Sequence, residues 1–364
     1  PSFVVSAMAV GLMTVHVRNA ALQKVGEFTA GAYSVTFREA LNAPGGWVLS
    51  APADHPSLAA LLEPGAGLVI VTDEGDQFGG YVSPAGAGAK NTRTITTDRD
   101  TVTVYGVSEI TPLWWRLIVP PPGSTHDTVE GQAASAVPLM VDRHLGTSAS
   151  AARGLTGWQI TARAAGGNAK VSGRYSNLGD ECSTHMGSGL WMRAVWEQEK
   201  IMFSVEDITA TAIPISVDAG SAIRVTESAN GTLKSTVYGL GSGVGVDRLV
   251  VEASAEVIPQ SRIEDVHDDT GETSVPALAA TTAALIEPGG TSLQAELVAG
   301  LTVRVGDSVR LYDSAGNLET VNVAETLTTI TPDETVRLVT VGQPQALGLD
   351  RLINQLDRNT STVS

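Results

Sequence analysis

Cys182 and His185 stand at C-x-x-H spacing, half of what a tetrahedral zinc site takes from one turn of chain. A closed site needs two further ligands, and His16, His55, His126, His144 and His267 stand apart, with no second C-x-x-C and no H-x-x-x-H. Leu178, Cys182 and Met186 fall one helical turn apart, so the thiol reads as part of an apolar face and as core. The acidic run EDVHDDTGE, Glu264 to Glu272, lacks the D-x-[DN]-x-[DN]-G order that arranges oxygens around calcium, and is expected to be a solvated loop. GLGSGVG, Gly239 to Gly245, has neither G-x-G-x-x-G nor Walker spacing, and the residues after it read as a strand, so anion capture at a helix N-terminus has no support. Ser188 in HMGSGL is one residue out of register for a nucleophile elbow, and nothing marks one carboxylate pair above the others. No catalytic residue, metal ligand or cofactor-binding residue is therefore expected, and the chain does not read as an enzyme.

Composition sets wider bounds. At 364 residues the chain exceeds a usual single core, so two or more domains are expected. Charged residues make up 17% and hydrophobic ones 43%, with 38 Gly and 17 Pro, which describes an ordered, turn-rich chain. A formal net charge of −16, with no basic stripe, argues against a surface that binds nucleic acid by neutralising phosphates. Cys182 is the sole cysteine, so no intrachain disulfide can form, and cysteine usage leaves the redox compartment open. The N-terminal stretch lacks the features of a signal peptide, and the longest apolar run that could be helical, SVPALAATTAALI, is too short to span a bilayer. The chain is expected to be soluble, without stable membrane insertion, and to have lost an initiator Met ahead of Pro1.

The most distinctive stretch is PLWWRLIVPPPG, Pro112 to Gly123. Each proline fixes φ and pushes its predecessor to an extended conformation, so Pro120, Pro121 and Pro122 predict a stiff polyproline spacer between two folded units. On a strand Trp114 and Trp115 would face opposite ways, one entering a core and the other meeting a second surface. Trp114, Trp115, Arg116, Pro120, Pro121 and Pro122 are thus the candidate structural joint or interface.

Around this joint the chain reads as β blocks with helical insertions. Before it come YSVTFREAL, GWVLSAP, GLVIVTDEGDQFGGYV and RTITTDRDTVTVYGV, with hairpin loops at DEGDQ and DRD, and one short helix in HPSLAALLEPG built on Leu58, Leu61 and Leu62 and stopped at Gly65. Strands at this spacing suggest a small barrel or sandwich. After it, a helix capped by Thr125 is expected to run through Val129, Ala133, Val137 and Val141 to Gly146, kinked or split at Pro138. SNLGDECSTHMGSG predicts a second helix, and GLWMRAVWEQEKIMFSVED a hairpin whose Trp191, Arg193 and Val195 face away from Met192, Ala194 and Trp196. Beyond Ile208, strands return at AIRVTES, GTLKSTVYGLG and DRLVVEASA; PALAATTAALIEPG and SLQAELVAG read as helical. A last hairpin pair follows, with Val303, Val305, Val309 and Leu311 alternating and DSAGN as its turn. Leu349, Leu352, Ile353 and Leu356 would share one face of a C-terminal amphipathic helix that docks on its own domain or on a partner.

From GGWVLSAPADHPSLAALLEPGAGLVIVTDEGDQFGGYV through YGVSEITPLWWRLIVPPPGSTHD, VDRHLG and AARGLTGWQI, the chain resembles the minor tail proteins of long, flexible-tailed bacteriophages of actinobacteria, a tail-tip or baseplate hub family. RVTESANGTLKSTVYGLGSGVGVDRLV and GDSVRLYD occupy places where that family has strands of a second barrel, and the likeness covers most of residues 30–340. The acidic, Ala-rich stretch DDTGETSVPALAATTAALI departs from the pattern.

The resemblance implies a mainly β protein with two tail-tube-like β-barrel domains and smaller α+β insertions. Its boundaries would be 1–119 for the first barrel, 120–207 for the α+β insertion, 208–346 for the second barrel with a helical insertion near 256–300, and 347–364 for the C-terminal segment. It also implies a homotrimeric ring that continues the six-fold tail tube, adapts it to three-fold symmetry, and meets the distal tail ring, the tape measure protein and other minor tail or fibre proteins at the virion tail tip. DNA would pass through the lumen without specific binding, kept from sticking if acidic residues line the wall. The alternatives are a distal-tail ring protein, a receptor- or carbohydrate-binding protein using Trp158, Trp191 and Trp196, and a tail-associated hydrolase, for which no carboxylate pair or zinc cluster is found.

Overall fold

The computed structural model describes residues 14–29, 33–71, 77–83, 92–95, 100–187, 189–208, 213–218, 220–230, 234–255, 262–286, 290–298, 301, 303–312, 318–332 and 335–341. The expected C-terminal helix with Leu349, Leu352, Ile353 and Leu356, and the DSAGN turn, lie outside these residues, as do Ser188 and most of the DEGDQ and DRD loops.

In chain order the strands and helices begin with β1 (Thr14–Arg18), β2 (Lys24–Phe28), β3 (Ser34–Ala40), β4 (Gly46–Pro52), α1 (Pro56–Leu61), β5 (Gly67–Val71), β6 (Gln77–Val82), β7 (Thr92–Ile95) and β8 (Asp100–Ser108). A 3-10 turn, Thr111–Trp115, leads to β9 (Asp127–Gln132), α2 (Ala133–His144), β10 (Trp158–Thr161), β11 (Asn168–Gly173), α3 (Leu178–Thr184), β12 (Leu190–Glu197) and β13 (Lys200–Asp207). Then come β14 (Ile213–Pro214), β15 (Ala222–Asn230), β16 (Thr236–Leu240), β17 (Val250–Ser254), β18 (Glu264–Asp268), α4 (Val275–Ala284), β19 (Gly290–Leu297), β20 (Ser308–Tyr312), β21 (Leu318–Ile330) and β22 (Thr335–Val341).

The chain divides into two compact units, residues 1–225 with 295–364, and residues 226–294. In the first, a large sheet runs in the order β15-β19-β22-β21-β3-β4-β8-β6-β5-β1-β2, with β7, β14 and β20 beside it. The fold is mainly β with α+β insertions, as expected. The two expected barrels do not appear as separate closed sheets among the described residues: β21, from the second β block, pairs antiparallel with β3 of the first, Leu327 opposite Arg38. Alternation along these strands buries Val15, Val17, Val35, Phe37, Trp47, Leu49, Leu68, Ile70 and Val104 in one core. Gly80 and Gly106 leave room for the Trp47 indole, since a Cβ on Gly106 would sit 1.9 Å from it.

The α+β part of the same unit has its own core. α2 packs against β9, β10, β11 and β13, burying Val137, Met140, Val141, Trp158, Val171 and Phe203. The hairpin β12–β13 turns on Gln198 and Glu199, both at positive φ (49° and 61°), the mirror-image turn whose twist suits a two-residue loop. Met192, Ala194 and Trp196 share one face, as the alternation predicted, and it is the face toward the core.

Four local expectations are corrected. The stretch after Thr125 begins as strand β9, because Asp127 and Val129 point inward at period two and pair with Gly173 and Val171 of β11; the helix starts at Ala133. Pro138 does not split α2. The carbonyl its missing N–H would have bonded, that of Ala134, accepts instead from the Arg163 N–H at 3.0 Å. SLQAELV is strand β19, with Leu293, Ala295 and Leu297 buried at period two, and EDVHD is an exposed strand, β18, rather than a loop.

The second unit centres on β16, antiparallel to β17 and parallel to β18, with α4 on one face. Ser274 caps α4 by accepting from the Ala277 N–H, and Leu278 and Thr282 are its buried residues. No helix among the described residues is long and apolar enough to cross a membrane.

Candidate structural joint

The chain that leaves β8 passes from the large sheet into the α+β part of the first unit through a 3-10 turn and then an extended stretch. Ser108 and Thr111 hydroxyls lie 2.9 Å apart; Ser108 Oγ accepts from the Gly45 N–H and Thr111 Oγ1 donates to the Gly45 carbonyl. Pro112 starts the 3-10 turn, where its lost donor has no intrahelical partner to forfeit. Trp114 and Trp115 therefore sit on a helical turn and not on a strand, which corrects the expected geometry. They still diverge: Leu113 enters the α+β core, Trp114 lies half-buried on α3, and Trp115 is 37% exposed.

Trp114 is fixed at three points. Its ring covers Gly179, where a Cβ would come within 2.5 Å; its indole N–H donates to Asp180 at 2.9 Å; and its carbonyl accepts from the Asn177 amide at 2.8 Å. Asn177 also caps α3 by accepting from the Asp180 N–H, so one side chain ties the helix start to the 3-10 turn.

From Arg116 the chain extends antiparallel to residues 175–178. Leu178 N–H donates to the Arg116 carbonyl, Ile118 N–H to Ser176, and Tyr175 N–H to Ile118, at 2.9, 2.9 and 2.7 Å. Ile118 is buried between them, while Leu117 and Val119 point outward. Pro120 is partly buried and Pro121 and Pro122 exposed; the run ends in a turn, Ser124 N–H to the Pro121 carbonyl, with Gly123 at φ +83°. The prolines thus stiffen an entry into β9 over a short span.

A second set of contacts, which sequence reasoning did not single out, joins the same two layers. Arg18 donates from one nitrogen to both oxygens of Glu109, at 2.7 and 2.8 Å, with both side chains 1% exposed. The guanidinium lies 4.4 Å from the Tyr81 ring centre, and the Tyr81 hydroxyl accepts from the Trp158 indole at 2.9 Å. Burial pushes the Glu109 carboxyl up and the Arg18 charge pulls it down, with burial the larger effect. Trp196 donates its indole N–H to the Leu22 carbonyl, and Asn42 at φ +50° bridges to β12 through the Leu190 carbonyl and the Met192 N–H.

Of the residues weighed for chemistry, Cys182 is part of the core. Cys182 is fully buried on α3 beside Leu178 and Met186, and its surroundings push the thiol pKa well up, toward an inert neutral group. Among the described residues no group of three His, Cys, Asp or Glu side chains could hold a metal ion. Of the three tryptophans of the glycan-binding reading, Trp158 is buried, Trp191 and Trp196 are partly buried, and Trp196 donates its indole N–H internally. Two cavities beside Trp191 and Arg193 measure about 50 Å³ each, room for one or two waters.

The fold is similar end to end to two solved structures. A tail protein from Neisseria meningitidis MC58 is 12% identical with a TM-score of 0.54, covering 93% of this chain and 99% of that one. The 43 kDa tail protein of prophage MuSo2 from Shewanella oneidensis is 10% identical with a TM-score of 0.52, covering 92% and 99%. No curated protein matches. The sequence itself matches a family across residues 14–270, which takes in β1, the joint, the α+β part and most of the second unit: the chain belongs to the Siphovirus ReqiPepy6 Gp37-like protein family.

Proposed function

We propose that this chain is a structural component of the siphovirus tail, the tail-tip hub: a homotrimeric ring that continues the tail tube, adapts six-fold to three-fold symmetry and anchors tip or fibre proteins. The observation that carries the reading is the end-to-end likeness of fold to a tail protein at nearly full coverage of both chains, in a siphovirus family member. The joint supports it. A ring subunit has to hold its neighbours at fixed angles, and the Tyr81–Trp158, Leu22–Trp196 and Asn42–β12 hydrogen bonds tie the large sheet to the α+β part while Trp114 to Ile118 clamp residues 175–178.

Within this reading, residues 1–119 and 208–346 supply the two tube-like β domains, 120–207 the α+β insertion, and 347–364 a segment that docks through Leu349, Leu352, Ile353 and Leu356. Its neighbours would be the distal tail ring, the tape measure protein and other minor tail or fibre proteins. The chain then acts by geometry and not by catalysis.

Electron microscopy of purified virions tests this. Three copies around the tail axis, continuous with a six-fold ring, are expected. Six copies would make the chain a distal-tail or tube ring component, and absence from the particle would overturn the reading.

A further inference from the structure

We propose that His144 is an acid-labile clasp on the joint: as a neutral imidazole it accepts a hydrogen bond from Arg153, the residue that pins the Leu117 carbonyl, and protonation releases that segment. His144 ends α2 and its side chain is 4% exposed. Its Nδ1 lies 3.2 Å from Arg153 Nη1, and its Nε2 lies 3.1 Å from Asp127 Oδ2 on β9. A guanidinium has only donors, so Nδ1 must offer a lone pair; the single ring proton then sits on Nε2, facing the carboxylate. Arg153, held by a turn whose N–H donates to the Ser150 carbonyl, uses its other terminal nitrogen on the Leu117 carbonyl, between the two tryptophans and the proline run. One side chain thereby ties α2 to the joint, and His144 aims it.

A second proton, taken from solvent, would go on Nδ1. There it would meet an N–H of Arg153 and not a lone pair, and two cations would share a part-buried contact. The charged groups facing His144 are Asp127 from β9, Arg143 from α2 and Arg153 from the following loop, with Arg116 of the joint adding its field to Arg153. Asp127 favours the imidazolium, but one of its oxygens is already taken by Arg143. Burial and then Arg153 outweigh it and hold the His144 pKa below the ordinary value of 6.5. The sign follows. When the segment opens, His144 returns toward its ordinary value and binds a proton more readily, so the closed joint is fully favoured above 6.5 and loses that advantage as pH falls toward the lowered value.

The test is hydrogen exchange of the Ile118, Tyr175 and Leu178 amides in the full chain between about pH 7.5 and about pH 5, corrected for the chemical exchange rate. In the native protein the opening constant should rise by up to about tenfold per pH unit below the ordinary imidazole range. In His144→Gln it should stay flat, because the amide accepts from Arg153, donates to Asp127 and does not titrate. A parallel rise in the variant, or no rise in the native protein, overturns the proposal. If the variant does not fold, nitrogen NMR of the native protein decides: His144 with Nδ1 bare and Nε2 protonated at neutral pH is expected, and a proton on Nδ1 overturns it.

Discussion

Trp114 and Trp115 are adjacent, chemically identical, and placed to different ends. Trp114 covers Gly179 and makes two polar contacts through its indole and carbonyl, whereas Trp115 keeps more than a third of its surface in solvent. Trp114→Ala should therefore cost about 3 kcal/mol in chemical denaturation, the lower end for a large aromatic because the ring is only half-buried. Trp115→Ala should cost less than about 1 kcal/mol, as an exposed apolar side chain does. Equal losses would show that the two rings share one environment. The Arg18–Glu109 pair illustrates a different balance at this scale. Removing two charges from water is expensive, and the shared nitrogen contact with the carboxylate and the Tyr81 face offset part of that cost, while Arg18 Nε and Nη1 stay buried without hydrogen-bond partners.

Elements were legible in the sequence where a single period or cap decided them. Helix α1, with Leu58 and Leu61 inward, α3 with its Asn177 cap, α4 behind Ser274, and the β12–β13 hairpin all follow from residues within one turn of each other. Errors arose where the deciding partner was distant. The helical look of the residues after Thr125 gave way to pairing with β11, and α2 runs unbroken through Pro138 with the freed Ala134 carbonyl taken by an N–H from Arg163. The joint was legible as composition, since Trp and Pro stood out. Its clamp onto residues 175–178, and the Arg18–Glu109 contact across 91 positions, carry no local signature at all. Glycine was under-read for the same reason. On β16, a Cβ at Gly239 would come within 2.0 Å of Thr282 Oγ1 and 2.9 Å of Val251, so α4 can approach the sheet only over a bare backbone. Gly239→Ala should destabilise the second unit by about 1–3 kcal/mol, read as faster exchange of the α4 amides, and Thr282→Ala in the same chain should recover part of it. No effect from the first change would mean that α4 packs further from β16.

At the scale of the whole chain, the two hydrophobic cores and the joint all belong to the first unit, although the sequence of that unit is interrupted between Val225 and Ala295. β15 leaves and β19 returns as neighbours in the large sheet, and Arg224 pairs with Glu296 across them at 3.2 Å. The interruption thus has closely spaced ends, the condition under which loop length costs little. Excising residues 226–294 and joining Val225 to Ala295 through an Asn-Gly turn should therefore leave a chain that still unfolds cooperatively, with its midpoint close to that of the full protein. Retained near-ultraviolet dichroism from Trp47, Trp114 and Trp158 would show both cores and the joint intact. Loss of cooperative unfolding would mean that the first unit draws essential stability from the second. On the proposed hub reading, the same deletion carried into assembled tails separates two roles: a ring that still forms places the proposed ring contacts in the first unit, whereas a folded chain that fails to assemble assigns them to residues 226–294.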